Sequence, residues 1–127
     1  YPFGETAKMV NDATLIVIML ETPEAIANAD KIAAVPGVDV LLIGTNDLCM
    51  EMGIPAEFMH ERVQDAYKTM IAACKAHGKV PGMGGIYAPD QMKTYIDLGA
   101  RMILSGSDFA FMMKGAREQV AAVRALG

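Results

Sequence analysis

Four times along the chain, a short apolar run rich in branched side chains gives way to a longer stretch in which apolar residues recur at helical spacing. Leu15-Ile16-Val17-Ile18-Met19-Leu20 is uninterrupted, as expected of a strand buried on both faces. Thr22 then offers a helix cap, Pro23 suits a first helical position, and Ala25, Ile26, Ala29, Ile32 and Ala33 keep a helical rhythm up to Pro36-Gly37. Val38 to Ile43 predicts a second strand that ends in a turn, Gly44-Thr45-Asn46-Asp47. A long helix over Glu57 to His77 places Met59, Val63, Ala66, Met70, Ala73 and Cys74 on one face and stops at Gly78. Val80 to Ile86 predicts a third strand thinned by glycine. Pro89 opens the next helix, which carries Met92, Tyr95, Ile96 and Leu98 and closes at Gly99. Arg101 to Leu104 predicts a fourth strand, Ser105-Gly106-Ser107-Asp108 its exit turn, and Phe109 to Leu126 a last helix. Phe3, Ala7 and Val10 fit the end of a helix preceding the first strand.

Strands alternating with helices in this way demand an α/β fold with a parallel sheet covered by helices. Two closures satisfy the pattern: a doubly wound sheet, or part of an eight-stranded TIM-type barrel. Four strand–helix units make half a barrel, and an open half leaves strand edges and an apolar face exposed. The chain also opens on Tyr1-Pro2-Phe3-Gly4, which reads as mid-chain sequence. We therefore expect residues 1–127 to be a single domain equivalent to the C-terminal half of such a barrel.

Composition narrows the function classes. With 127 residues, 53% hydrophobic and 20% charged, the chain is too apolar for a disordered segment. A net charge of -4 without a cluster of Lys or Arg argues against nucleic acid or an anionic membrane as partner. The Leu15–Leu20 run falls far short of the roughly 20 residues of a membrane span, and no signal peptide precedes it. Cys49 and Cys74 form neither a C-x-x-C pair nor a disulfide framework, so reduced thiols and a cytoplasmic location are expected. The 11 methionines are expected mostly on core faces.

In either closure, reactive groups gather where strands end and helices begin. Glu21 follows the first apolar run directly, and Asp47 stands at the same level one strand along. Neighbouring strands lie roughly 4.8 Å apart, so these two carboxylates can share one cation. Two carboxylates without His or Cys ligands suit a hard divalent ion such as Mg2+ or Mn2+, with Co2+ as a further candidate. The plain alternative is that both acids only favour the helix starts beside them. Backbone N–H groups of Gly44-Thr45-Asn46-Asp47 offer a seat for a carboxylate or phosphate. Gly82-Met83-Gly84-Gly85 allows close approach of a ligand or serves as a bare tight turn, and neither a dinucleotide nor a P-loop fingerprint is present. His60 and His77 fall in the long helix, His77 at its dipole's negative end. No histidine lies near Cys49 in sequence to activate it.

Two segments carry a resemblance: Ile18-Met19-Leu20-Glu21-Thr22-Pro23-Glu24-Ala25 and Val35-Pro36-Gly37-Val38-Asp39-Val40-Leu41-Leu42-Ile43-Gly44-Thr45-Asn46-Asp47-Leu48. Together with Lys79-Val80-Pro81-Gly82 and the stretch from Leu98 to Asp108, they resemble the HpcH/HpaI aldolase family. The likeness runs from about Ala7 to the end. It implies a metal-dependent (class II) aldolase, a carbon–carbon lyase on a TIM-type barrel. Its substrates would be pyruvate-derived hydroxy-keto acids such as 4-hydroxy-2-oxo-diacids and 2-dehydro-3-deoxy-aldarates. The family's metal ligands map onto Glu21 and Asp47, and its substrate-carboxylate contacts onto Gly44, Thr45, Asn46 and Asp47. The resemblance also implies a homo-oligomer, a trimer or hexamer with a swapped last helix. Thr45 replaces a proline usual in the family, and Met19 replaces a glutamine found in many members. The family's catalytic histidine and substrate-binding arginine belong to the other barrel half and map onto nothing here. Two other readings compete: a citrate-lyase-like or malyl-CoA-lyase-like C–C lyase, and a non-catalytic flavodoxin-like binding module.

Overall fold

The apolar runs pair edge to edge in the order in which they occur in the chain. A computed structural model describes residues 2–127; Tyr1, part of the mid-chain reading above, lies outside the described residues. Strands β1 (Val17–Leu20), β2 (Val40–Gly44), β3 (Val80–Gly84) and β4 (Met102–Ile103) form one parallel sheet in the order β1-β2-β3-β4. An unbroken order means each crossover steps to the next position with no reversal. That is the winding of a barrel, not of a doubly wound sheet, which turns back at a switch point. Around the strands lie α1 (Phe3–Ala13), α2 (Pro23–Ala27), α3 (Ala29–Ala33), α4 (Thr45–Glu51), α5 (Glu61–His77), α6 (Pro89–Leu98) and α7 (Asp108–Arg124).

Register gives the sheet two unlike faces. Val17 pairs with Val40 and Val40 with Val80, while Met19 pairs with Leu42 and Leu42 with Gly82. Because side chains alternate, Ile18, Leu20, Leu41, Ile43, Met83 and Ile103 share the opposite face. That face belongs to the core, packed with Ile26, Val63, Tyr67, Met70 and Tyr95 from the helices. On the face of Met19 and Leu42 the flanking strands are bare, with Met19 48% and Val80 42% exposed, while Val40 and Leu42 of the central β2 are buried. Apolar side chains on that bare face are the pattern of a barrel interior with only one wall present.

Several elements differ from the sequence reading. The helix expected over Thr22–Ala33 is broken at Asn28 (φ -96°, ψ 6°) into α2 and α3, while Thr22 caps α2 as expected, accepting from the Ala25 N–H at 3.1 Å. The first strand begins at Val17, with Leu15 and Ile16 exposed, so it is not buried on both faces. Strands three and four are shorter than expected, and α7 ends at Arg124. The long helix starts at Glu61, because the His60 ring accepts from the Arg62 N–H and caps it there, leaving Met59 outside and exposed. Of the methionines, Met70 and Met83 are fully buried whereas Met9, Met19, Met50, Met59 and Met112 are exposed. The expectation that they mostly fill the core is corrected. Their exposure falls partly on the bare sheet face and on α1 and α7, helices with no buried residue.

The two faces should respond unequally to truncation. Leu41→Ala, on the packed face, is expected to lower stability by about 2–5 kcal/mol. Met19→Ala, on the bare face, should change it by less than about 1 kcal/mol. Urea denaturation of the two variants checks both.

Candidate active site

Parallel strands in register bring their C-terminal ends to one edge of the sheet. Leu20 pairs with Ile43, so the next residues, Glu21 and Gly44, stand side by side. Gly44 in turn pairs with Gly84. Glu21 reaches across the end of β2: a Cβ built on Gly44 would lie 2.6 Å from Glu21 Oε1 and 2.8 Å from Glu21 Cγ. Real atoms do not approach so closely, so the carboxylate lies where it does because residue 44 has no side chain.

The turn expected at Gly44–Asp47 is instead the last residue of β2 followed at once by α4. Thr45 opens that helix and Asp47 sits in its first turn, where an acid is favoured by the exposed N–H groups. Glu21 is not a helix cap, since Thr22 fills that role. The structure thus brings together the two carboxylates singled out from the sequence. Desolvation, then the Asp47 charge, then a side-chain hydrogen bond with Asp47 push the Glu21 carboxyl above its ordinary range.

Glu21 and Asp47 line a cleft of about 240 Å³ together with Gly44, Thr45, Asn46, Met19, Leu42, Gly84, Gly85, Tyr87 and Leu104. The glycines in and just after β3 divide into two kinds. A Cβ at Gly82 would meet Leu42 at 3.0 Å, so that glycine serves strand packing. At Gly85 the backbone adopts φ +85°, and a Cβ there would lie 3.2 Å from the Asn46 N and 3.4 Å from the Thr45 N. The missing side chain keeps the space before those amides open. Sequence reasoning missed Tyr87 and Leu104 as lining residues. The position of Leu104 one residue past β4 was the available signal, whereas Tyr87 follows an irregular segment with none.

The histidines stand elsewhere. His60 caps α5 rather than lying within it, and His77 in the last turn of α5 bonds Asp30 of α3 at 2.8 Å. Cys49 and Cys74 are free and buried, and burial raises both thiols above their usual range. Among the described residues no group of three or more His, Cys, Asp or Glu side chains is placed to hold a metal. The donor set is therefore an oxygen pair. Two close carboxylates with open space beside them fit a hard divalent cation that keeps water and takes oxygen from a ligand.

The chain matches the HpcH/HpaI aldolase/citrate lyase family over residues 3–114. It belongs to that family. It is 40% identical over 116 residues to a 4-hydroxy-4-methyl-2-oxoglutarate aldolase of Hapsidospora irregularis, covering 90% of this chain and 43% of that protein. Against a 4-hydroxy-2-oxo-heptane-1,7-dioate aldolase of Salmonella typhimurium the identity is 35% over 113 residues, 88% of this chain and 42% of that one. A crystal structure of an HpcH/HpaI aldolase from Desulfitobacterium hafniense superposes with a TM-score of 0.79 at 27% identity, over 98% of this chain and 48% of its own. The chain thus spans under half the length of these relatives. The barrel-type sheet, in place of a flavodoxin-like one, agrees with that likeness. No helix among the described residues is long and apolar enough to cross a membrane.

The raised Glu21 carboxyl has a signed consequence. It keeps its proton to higher pH when folded than when unfolded, so its contribution to stability is full below the ordinary glutamate range. That contribution is lost as pH rises through the raised value. Glu21→Gln in the metal-free chain is therefore expected to raise the thermal midpoint at neutral pH. The gain should close as pH falls below the ordinary glutamate range, as followed by circular dichroism.

Proposed function

We propose that this chain carries the metal- and carboxylate-binding half of an aldolase that cleaves 4-hydroxy-2-oxo acids to pyruvate and an aldehyde. The observation that carries the reading is the Glu21–Asp47 pair, held together at the strand ends across a glycine that admits no side chain. Membership of the family and the aldolase names of the relatives support it.

Glu21 and Asp47 would hold Mg2+ or Mn2+ between them. When bound, the cation supplies positive charge against the charge that develops on the 2-oxo oxygen during C–C cleavage. The residues of the chain do the rest of the binding. The amides at Gly44, Thr45, Asn46 and Asp47, at the start of α4, would receive the substrate carboxylate, since a helix start favours an anion. Gly85 keeps a side chain out of that space. Met19 and Leu42 on one side and Leu104 on the other give the cleft apolar walls. Such walls restrict water and strengthen the electrostatics between them. Met19 offers no donor to a keto oxygen, so orientation falls to the amides and the carboxylate pair. His60 and His77 are engaged away from the cleft, so the base for the C4 hydroxyl would come from outside these residues.

We further propose that the bare sheet face and the exposed faces of α1 and α7 are covered in the working enzyme. The other half of the barrel would cover the first, and neighbouring subunits of a homo-oligomer the others. Met19, Val80, Phe109, Phe111, Met112 and Val120 are all large, apolar and exposed. Apolar surface at that density marks an interface rather than a solvated boundary. At neutral pH the isolated chain is expected to self-associate in analytical ultracentrifugation and to enhance the fluorescence of an apolar dye. A dye-silent monomer would count against the covered face.

The metal reading is tested directly. Titration of the chain with Mn2+, followed by electron paramagnetic resonance, should give a single site, and both Glu21→Ala and Asp47→Ala should weaken it by at least tenfold. Any decarboxylation of oxaloacetate should fall in step. Unchanged Mn2+ affinity in both variants would remove the proposal.

A further inference from the structure

Thr45 is the buried polar side chain among the described residues, with no exposed surface. It opens α4, two residues before Asp47. Its hydroxyl lies 2.7 Å from the Gly84 carbonyl oxygen and 2.8 Å from the Tyr67 hydroxyl. A carbonyl only accepts, so Thr45 donates to Gly84 and Tyr67 donates to Thr45. Burial holds the Tyr67 phenol well above its ordinary range, so it remains a donor. The Tyr67 ring packs on that of Tyr95 with centroids 4.1 Å apart, and the Tyr95 hydroxyl donates to the Phe58 carbonyl. One hydroxyl thus ties three elements: the start of α4, the end of β3 and the middle of α5.

A valine would fill the same space without requiring two partners, and a buried hydroxyl carries a desolvation cost that only good bonds offset. What the bonds fix is the height of α4 against β3. Asp47 and the Thr45 and Asn46 amides ride on the first of these elements, and Gly85, the residue directly after the second, faces those amides.

We propose that Thr45 is a positioning residue of the cleft, its hydroxyl clamping the start of α4 to the end of β3 so that Asp47 stays beside Glu21 and the Thr45 and Asn46 amides stay turned to the space before Gly85. The inference rests on the carboxylate-pair reading above but makes a separate claim about what holds the pair in place. Where the protein places a ligand through a supporting hydrogen bond, loss of that bond weakens metal binding about tenfold or more.

The test compares the full chain with Thr45→Val, Thr45→Ser and Tyr67→Phe, with Ile26→Ala as a core-weakening control that removes no hydrogen bond of the clamp. Mn2+ affinity and amide hydrogen exchange are read at a temperature where every variant is folded. Thr45→Val is expected to weaken Mn2+ binding about tenfold and to speed exchange at Asn46, Asp47 and Gly85. Thr45→Ser should stay within about threefold of the parent, and Ile26→Ala should leave affinity unchanged although it costs stability. If Thr45→Val does not fold, Thr45→Ala carries the same comparison, since it too removes the hydroxyl that bonds Gly84, while Tyr67→Phe, which keeps that bond, should weaken binding less than either. The clamp is overturned if Thr45→Val binds Mn2+ like the parent while Glu21→Ala does not, or if Ile26→Ala weakens binding equally. Should the parent bind no Mn2+, the metal reading falls. The clamp is then decided by exchange alone, and unaltered protection at Asn46 and Asp47 rejects it.

Discussion

Parallel pairing in strict sequence order is the constraint on which everything else in this chain rests. It places the carboxyl ends of β1, β2 and β3 next to one another and in register, Leu20 beside Ile43 and Gly44 beside Gly84. It also sorts side chains into a packed face and a bare one. A slip of one residue in β2 would exchange Leu41 and Ile43 with Val40 and Leu42, and would move Gly44 out from beneath Glu21. Register is thus enforced by core burial and, as a by-product, sets the geometry of the cleft. The Asp39 side chain adds a pin at the opposite edge, accepting from the Ile16 N–H at 2.8 Å.

Within that frame the cleft is a place where the fold works against itself. Two carboxylates stand close enough for each to disfavour the other's charge, and no Lys or Arg lines the same cleft. A structure selected only for stability would put a cation or an amide there. Glu21 bears the cost, through desolvation first and the Asp47 charge second. Such a pair holds a standing attraction for positive charge from outside the protein. Under the proposed reading, the same residues are a source of instability in the free chain and would supply affinity for a cation in a loaded one.

What the sequence disclosed follows the strength of each local signal. The four strand–helix units were legible from apolar runs alternating with helical spacing, and the nearness of Glu21 to Asp47 because each acid falls just past such a run, one residue after Leu20 and four after Ile43. The start of α4 was not legible, since Gly44-Thr45-Asn46-Asp47 is composed of turn-favouring residues and only the burial of Leu48 and Cys49 turns it into a helix. The break at Asn28 was hidden because Ala25, Ile26, Ala29 and Ile32 keep helical spacing across it. Met59 and Met19 were misplaced for a related reason: an apolar residue reads as core whether it meets its own chain or is left for a neighbour. Tyr87 escaped notice because its place in the cleft depends on an irregular segment after β3.

Thr45 joins these strands of argument. The family resemblance has proline there, a residue that stiffens a helix start through its ring and gives up an N–H in doing so. Threonine keeps the N–H and must find its rigidity elsewhere, and here it finds it in Tyr67 and the Gly84 carbonyl. The two solutions differ in what they connect. A proline stiffens one peptide, whereas a buried hydroxyl makes the aim of Asp47 answerable to α5 and β3. Packing of the Tyr67–Tyr95 pair, deep under the helical layer, is thereby coupled to the alignment of charges at the strand ends. Any substitution that disturbs that aromatic pair reaches the cleft through a single oxygen atom.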